Sequence, residues 1–435
     1  MRIFPLVLLL ILPFCSLASQ ANTDTSLTPA LYKTLNEIQD QLSAQEYEQV
    51  AARLTKLEED LKPSFGLALV YQLHGQFWLL QEKPEKGLEY FQKALELNVL
   101  APAQEAGIAT TAAQILLSLD RADDAYNDLE PRLKRILAKE KEDNDKPRKG
   151  RRYKENEGDE DKQIRYIQPH SFVTAATACQ MKKRYDKSIP WLKQAVSRSE
   201  TPKENWLLML MVALYQEKQY AASIEVLDDL IRLNPSKEDY WQQQAALYQI
   251  LEQPNKALRT LELGYAGGYI EKPTTIMQLV QLLINNGIPE RAGRILQKHL
   301  ADESLELNDR NWKILASAWQ QSREHAKAAV ALIEASEYME DGSLIYRAAQ
   351  LQLQIGEYRN AIDNAKKAIK KGLNEKDESN ALMLVASSAY ELNEYDLSRQ
   401  YFQRALQFAN TASSAKNWLD YLAALEESHK LASQP

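Results

Sequence analysis

A small residue recurs along this chain at intervals close to 35 residues, each time where a helical pattern begins. The spacings between successive copies are 37, 38, 63, 35, 34, 35, 36, 33 and 37 residues, and all except the 63 lie close to that period. The positions are Val50, Gly87, Ala125, Ser188, Ser223, Ala257, Ala292, Ala328, Ala361 and Ser398. Self-similarity at such a period is typical of proteins in which each repeat buries its apolar face against its neighbours. The chain is therefore predicted to fold as a stack of repeats.

The stretch from Arg310 to Ser336 shows what one repeat contains. Its first half places apolar residues at i, i+3, i+4 and i+7, on one face of a helix: Trp312, Leu315, Ala316 and Trp319. A polar break follows, and then the same spacing returns with Ala328, Leu332 and Ala335. Small residues at 316 and 328 let two backbones approach closely. The pattern predicts a helical hairpin.

This hairpin resembles the tetratricopeptide repeat, in which large residues occupy repeat positions 4, 11 and 24 and small ones positions 8, 20 and 27. A second copy carries the same kinds of residue at Tyr71, Gly75, Trp78, Gly87, Phe91 and Ala94. The resemblance covers roughly residues 30–412. It implies an all-α fold: a right-handed superhelical α-solenoid of about ten helical hairpins, closed by a C-terminal capping helix.

The chain divides into six predicted segments. They are a signal peptide (1–21), a flexible tether (22–28), N-terminal hairpins (29–137), a charged disordered insertion (138–166), the main repeat array (167–412), and a capping helix with a disordered tail (413–435). Trp418, Tyr421, Leu422 and Leu425 give the capping helix its apolar face. Terminal repeats need such caps because their outer faces meet water.

The first 21 residues have the composition of a secretory signal peptide. Arg2 precedes an apolar run from Ile3 to Phe14, and the small residues Ser19 and Ala21 stand at cleavage spacing. A membrane anchor is the alternative, but the run is shorter than the roughly 20 residues that a spanning helix needs. Lipidation at Cys15 would require a small preceding residue, and Phe14 is bulky. We therefore expect export to the periplasm as a soluble protein, without stable membrane insertion.

Charge and cysteine content narrow the class of partner. The formal net charge of −7 provides no overall basic field for nucleic acid. Cleavage after Ala21 would leave Cys179 as the one cysteine, so no intramolecular disulfide is expected. The insertion is richest in charge: Lys139–Lys162 contains nine basic and nine acidic residues and one aromatic residue. This composition favours a solvated loop; a docking site for an acidic partner or lipid headgroups, and nucleic-acid binding, are the alternatives.

Sequence motifs for catalysis or cofactor binding do not occur. The histidines are scattered over different repeats, at His74, His170, His299, His325 and His429, and none forms a HExxH or Cys/His cluster. We therefore predict no catalytic residue, no metal site and no cofactor. An envelope enzyme assembled from distant repeats is the alternative from another class of function.

The resemblance to tetratricopeptide proteins also implies where a partner binds. Their first helices line a groove that holds extended peptides, and the matching residues here are expected to contact the partner. The candidates are Arg310, Lys313, Gln320, Gln321, Tyr346, Arg347 and Gln350. Tyr and Arg are the residue types that dominate binding hot spots, so Tyr346 is the expected anchor. The competing interpretation is that Tyr346 packs between neighbouring helices.

These features predict a non-catalytic periplasmic scaffold that binds envelope proteins or extended peptides; a homo-oligomer is compatible with them. The layout of signal peptide, divergent repeats and charged insertion is similar to tetratricopeptide proteins encoded beside TonB-type systems in Gram-negative bacteria. That similarity implies a role in TonB-dependent uptake. A scaffold for cell-wall or outer-membrane assembly is the alternative.

Overall fold

The computed structural model describes residues 27–146 and 163–432, and within them every regular element is an α-helix. The chain forms two compact units, which divide between Leu233 and Asn234. The helices of unit 1 are α1 (Pro29–Ser43), α2 (Tyr47–Asp60), α3 (Phe65–Leu80), α4 (Pro84–Glu96), α5 (Pro102–Ser118), α6 (Ala122–Asp145), α7 (Pro169–Met181), α8 (Tyr185–Ser197), α9 (Glu204–Gln216) and α10 (Tyr220–Leu233).

Unit 2 has the same construction. Its helices are α11 (Glu238–Ile250), α12 (Pro254–Ala266), α13 (Pro273–Asn285), α14 (Pro289–Ala301), α15 (Asp309–Gln321), α16 (His325–Ser336), α17 (Ser343–Gln354), α18 (Tyr358–Lys371), α19 (Glu375–Glu391), α20 (Tyr395–Ala405) and α21 (Ala412–Ala432). Within each unit, consecutive helices pack as antiparallel hairpins, five per unit, and α21 follows the last one. The predicted α-solenoid of about ten hairpins is thus confirmed.

Every hairpin turn in the described residues uses the same backbone device. The first helix ends at one residue with positive φ, and the next N–H donates to the carbonyl five residues back, as Glu324 does to Trp319 at 2.8 Å. This is the Schellman arrangement. The left-handed residues are Gln45, Glu82, Asp120, Lys183, Lys218, Glu252, Gly287, Arg323, Gly356 and Asn393. Each lies five residues before one of the recurring small residues, so the sequence period and the turn period are identical.

Eight of these ten turns place a side chain where glycine is preferred, which predicts a simple stabilising change. Arg323 has φ 62° and is exposed. We expect Arg323→Gly to raise the free energy of unfolding by about 0.5–1 kcal/mol, because the left-handed conformation is strained for a residue with a Cβ. Gly356→Ala should lower it by about 1 kcal/mol for the same reason. Urea denaturation followed by circular dichroism measures both. The control is Arg323→Ala, and if it stabilises as much as Arg323→Gly, the explanation by backbone strain is wrong.

The cores lie between the helices of each hairpin and the next, and are filled by the residues that define the period. In unit 2, Trp319 of α15 is 2% exposed and lies against α14. A Cβ at Gly293 would come within 3.0 Å of the Trp319 indole, which is tighter than most Cβ contacts, so glycine favours this close approach. Cys179 in unit 1 is buried, and burial raises the pKa of its thiol to about 11. It acts as a small apolar filler of the core.

The predicted start of the disordered insertion at residue 138 is wrong, because α6 continues to Asp145. Glu140 is 4% exposed, and its carboxylate binds Arg198 through two hydrogen bonds of 2.8 and 3.1 Å. It also accepts the backbone N–H groups of Tyr166 and Ile167. The segment 163–167, which we call the return segment, is therefore packed onto α6. Residues 147–162, the remainder of the predicted insertion, lie outside the described residues.

Asn144 completes this attachment by bonding to both backbone groups of one residue. Its side-chain amide donates to the carbonyl of Ile164 at 3.0 Å and accepts from the N–H of Ile164 at 2.8 Å. Tyr166 donates its hydroxyl to Asp143 at 3.0 Å. The return segment is therefore held against the end of α6.

At the other end of the chain, α21 packs on α20 through Ala415, Trp418 and Leu422. The Trp418 ring stacks on Phe402 with a centroid distance of 5.4 Å. This agrees with the predicted capping helix. The predicted signal peptide (1–21), most of the tether and the last three residues lie outside the described residues. Within residues 27–146 and 163–432, no helix has both the length and the apolarity that crossing a membrane requires.

Candidate protein-binding surface

The seven predicted contact residues lie on α15 and α17, the first helices of consecutive hairpins, and differ in accessibility. Four are exposed: Arg310, Gln321, Arg347 and Gln350. Lys313 and Gln320 are half-buried, and Tyr346 is buried. We call the six accessible residues the α15–α17 surface.

A side-chain bridge joins the two helices across this surface. Arg347 of α17 donates from Nη2 to Oε1 of Gln320 on α15 at 2.9 Å. On the same helix as Gln320, Gln321 donates to the Ser317 hydroxyl at 3.2 Å. Because a guanidinium has five N–H donors, the bridge leaves Arg347 with further donors. A glutamine amide likewise has more than one donor and acceptor.

Lys313 is partly neutralised by its own helix. Its ammonium lies 2.9 Å from Oδ2 of Asp309 and 3.5 Å from the sulfur of Met339. The hydrogen bond from Lys313 holds the pKa of Asp309 below its usual value. An exposed pair of this kind, one helical turn apart, contributes little to stability. Lys313 therefore adds local polarity to the surface without a strong net field.

Tyr346, the predicted anchor for a partner, is not accessible in the structure. Its side chain is 8% exposed and belongs to the core cluster with Ala349, Leu384 and Val385. Burial raises the pKa of its hydroxyl, and a hydrogen bond with Gln350 opposes that rise. The competing interpretation is correct: Tyr346 packs between helices, and its neighbour Arg347 is the accessible residue.

Amide bridges between first helices recur outside the predicted site. Gln278 of α13 donates to Gln249 of α11 at 3.2 Å. In unit 1, Gln180 of α7 donates to the carbonyl of Met209 on α9 at 2.9 Å. The sequence singled out Gln320 as a groove position, but it did not indicate that Gln320 or Gln249 would bridge to a neighbouring first helix. A glutamine recurring at repeat position 12 is the signal that could have indicated it.

The hydrogen-bonded group that most resembles a catalytic one lies around His299. Its Nε2 is 2.9 Å from the Tyr265 hydroxyl, and its Nδ1 is 2.6 Å from Oγ of Ser304. Ser304 donates to Asp302 at 2.6 Å, so the carboxylate orients the serine and not the histidine. A hydrolytic triad needs the carboxylate on the far side of the base. Burial lowers the pKa of His299, which fits a neutral, structural imidazole.

In the part of the chain that the structure describes, no three His, Cys, Asp or Glu side chains lie together in a way that could hold a metal ion.

The hairpins, their Schellman turns and the exposed polar first helices define the chain as an all-α repeat protein. Residues 346–415, from α17 into α21, match the family model described as tetratricopeptide repeat. The resemblance inferred from the sequence is confirmed over these residues, which lie in unit 2.

Several solved structures are similar to this chain at low identity. One is YrrB, described as a TPR protein with an unusual peptide-binding site, at 18% identity over 48% of this chain and 90% of its own, with a TM-score of 0.34. Another is a tetratricopeptide repeat protein from Parabacteroides merdae, at 14% identity over 59% and 98%, with a TM-score of 0.31. A third is Naa15/Naa10 bound to HypK-THB, at 10% identity over 92% of this chain and 64% of that one, with a TM-score of 0.46.

No curated protein matches this chain in sequence.

Proposed function

We propose that this protein is a non-catalytic scaffold that binds other proteins, and that the α15–α17 surface is a contact site. The observation that carries the proposal is the exposed set of donors and acceptors on two adjacent first helices, joined by the Arg347–Gln320 bridge. Leu315, Trp319 and Ile345 of the same helices are buried in the core, and Trp312, Ile314, Leu344 and Leu353 are partly buried. The exposed side chains of this surface are therefore mainly polar.

An extended segment of a partner protein fits this chemistry best. Its backbone has alternating N–H and C=O groups, which glutamine amides can satisfy in either direction. Arg310 and Arg347 add two guanidinium groups to the surface, and the short pair at Lys313 adds no strong field. We therefore expect a partner segment that is polar or mildly acidic.

The cellular setting is a further part of the proposal. Arg2, the apolar run Ile3–Phe14 and the small residues before Asn22 support export to the periplasm. The partners would then be envelope proteins. The order of signal peptide, divergent repeats and charged insertion supports a more specific role, in TonB-dependent transport.

Photo-crosslinking in cells that express the chain tests the proposal. The crosslinking residue p-benzoylphenylalanine is placed at Gln350, which is exposed on α17, and in a matched variant at Lys367, which is exposed on α18. We expect position 350 to capture one or a few specific proteins that position 367 does not, because only position 350 lies on the α15–α17 surface. Mass spectrometry identifies the captured proteins.

Two outcomes of the crosslinking experiment would contradict binding at the α15–α17 surface. Equal capture at positions 350 and 367, or no capture at 350 while other first-helix positions such as Gln281 give products, would place binding elsewhere. Fractionation of the same cells checks the setting: the protein should be released with the soluble periplasmic contents, and retention in the cytoplasm would contradict the envelope assignment.

A further inference from the structure

The second helices of the unit 2 hairpins, α12, α14, α16, α18 and α20, are basic, although the chain as a whole is acidic. They contain 13 basic and 5 acidic residues, whereas the whole chain contains 53 basic and 60 acidic residues. Helix α18 contributes most to this excess, with five basic residues and one acidic residue. The α15–α17 surface is made by first helices, so the excess of positive charge belongs to a different part of unit 2.

Three of these cations gather at the contact between α18 and α20. Nζ of Lys366 on α18 lies 5.4 Å from the centroid of the Tyr401 ring, and Cζ of Arg404 on α20 lies 5.0 Å from the same centroid. Lys370, which is exposed, follows Lys366 by one turn on the same side of α18. Ile369 and Tyr401 are half-buried against the core. We call Lys366, Lys370, Tyr401 and Arg404 the α18–α20 cluster.

The cations of the α18–α20 cluster have no counter-charge. Arg359 and Arg399, the other arginines of these two helices, are each paired with a glutamate. In contrast, the three cations of the cluster form no ion pair with any carboxylate among the residues that the structure describes. Like charges that are held close together repel one another, so an anion that binds between them is attracted by all three.

Carboxylates border the cluster and limit the shape of an anionic partner. Asp363 is exposed on α18, Asp396 is exposed on α20, and the first turn of α19 contains three acidic residues. A flat anionic membrane or a long nucleic acid would meet these carboxylates as well as the cations, and the carboxylates would repel it. A short polypeptide segment can place two or three carboxylates on the cluster alone.

We propose that the α18–α20 cluster binds an acidic segment of a partner protein, with aspartate or glutamate at neighbouring positions. The guanidinium of Arg404 can bind a carboxylate through two parallel N–H donors, and the ammonium groups of Lys366 and Lys370 act on it as point charges. This site adds a second contact to the proposed scaffold. It does not depend on the α15–α17 surface, since it lies on other helices.

Binding of a defined acidic peptide to the full chain tests the proposal. The probe is a fluorescein-labelled peptide of about 12 residues, with about four central glutamates among Ser and Gly, and its control has glutamine in place of each glutamate. The Kd of the acidic peptide should rise at least about fivefold between roughly 0.05 and 0.3 M NaCl, because salt screens its ion pairs. The glutamine peptide should bind at least about tenfold more weakly.

A matched pair of double variants locates the site. Lys366→Glu with Arg404→Glu should weaken the acidic peptide at least about tenfold, because it reverses both cations at Tyr401. Lys256→Glu with Lys298→Glu makes the same change of net charge on α12 and α14, where each lysine lies over a different tyrosine. This control should leave the Kd within about twofold at roughly 0.15 M NaCl. The milder Lys366→Gln with Arg404→Gln should keep the melting curve and still weaken binding at least about fivefold.

The proposal would be overturned if the acidic peptide does not bind. Equal weakening by the two charge-reversal variants would also overturn it, since the peptide would then respond to net charge and not to a site. A loss of binding with Arg310→Glu and Arg347→Glu, but not with Lys366→Glu and Arg404→Glu, would place the acidic segment on the α15–α17 surface. Tighter binding of phosphatidylglycerol vesicles or double-stranded DNA than of the peptide, lost in the Lys366→Glu and Arg404→Glu variant, would make the partner a membrane or a nucleic acid.

Discussion

Glu140→Ala should lower the free energy of unfolding by about 3–5 kcal/mol, because it leaves a largely buried arginine without its counter-charge. Glu140 and Arg198 have side-chain exposures of only 5% and 14%. The same substitution removes the acceptor for two backbone N–H groups, of Tyr166 and Ile167. Denaturant unfolding measures the loss, and hydrogen exchange at residues 166 and 167 should show the return segment opening.

Two further variants distinguish destabilisation by loss of the Glu140–Arg198 pair from destabilisation by removal of any carboxylate. Glu142→Ala, in the same turn of α6 but exposed, should shift the melting temperature little. Replacing both partners, as Glu140→Met with Arg198→Met, should recover much of the loss, since no buried charge is then unpaired. If Glu140→Ala is as mild as Glu142→Ala, the return segment is not held by this pair.

Tyr346→Ala should destabilise unit 2 by about 3 kcal/mol, because it empties a space in the core between α17 and α19. Tyr346→Phe keeps the ring and removes a hydroxyl whose bond to Gln350 lies near the surface, so it should have a much smaller effect. Arg347→Ala changes only an exposed side chain and should leave stability nearly unchanged. Thermal unfolding of the three variants ranks their stabilities.

This order decides between the two roles that the sequence allowed for position 346. A Tyr346→Ala variant that unfolds like the wild type but loses partner binding would restore it as an anchor and contradict its place in the core. The structure predicts the reverse: partner affinity of the Tyr346→Phe variant equal to that of the wild type.

The number and positions of the hairpins could be predicted because the information is local and repeated. Each small residue such as Ala328 marks a close approach of two helices, and each lies five residues after a left-handed turn residue. The return segment could not be predicted in this way. Composition indicated that nothing near Glu140 could be buried, but its partner Arg198 lies 58 residues away along the chain. A buried ion pair between distant residues has no periodic signal.

The candidate site was predictable only in part, for a related reason. Repeat positions placed Gln320 and Arg347 on first helices, and the structure joins them at 2.9 Å. The accessibility of Tyr346 depended on how α17 packs against α19, which its repeat position did not determine.

The most direct test of the central claim is the affinity of a captured partner for variants of the α15–α17 surface. The partner identified by crosslinking at position 350 is purified, and its Kd is measured by fluorescence anisotropy. Charge reversal on the surface, by Arg310→Glu with Arg347→Glu, should weaken binding at least about thirtyfold, or roughly 2 kcal/mol. The same reversal on second helices, by Arg259→Glu with Lys367→Glu, should leave the Kd within about twofold. Equal losses in both folded variants, or none in the first, would contradict binding at this surface.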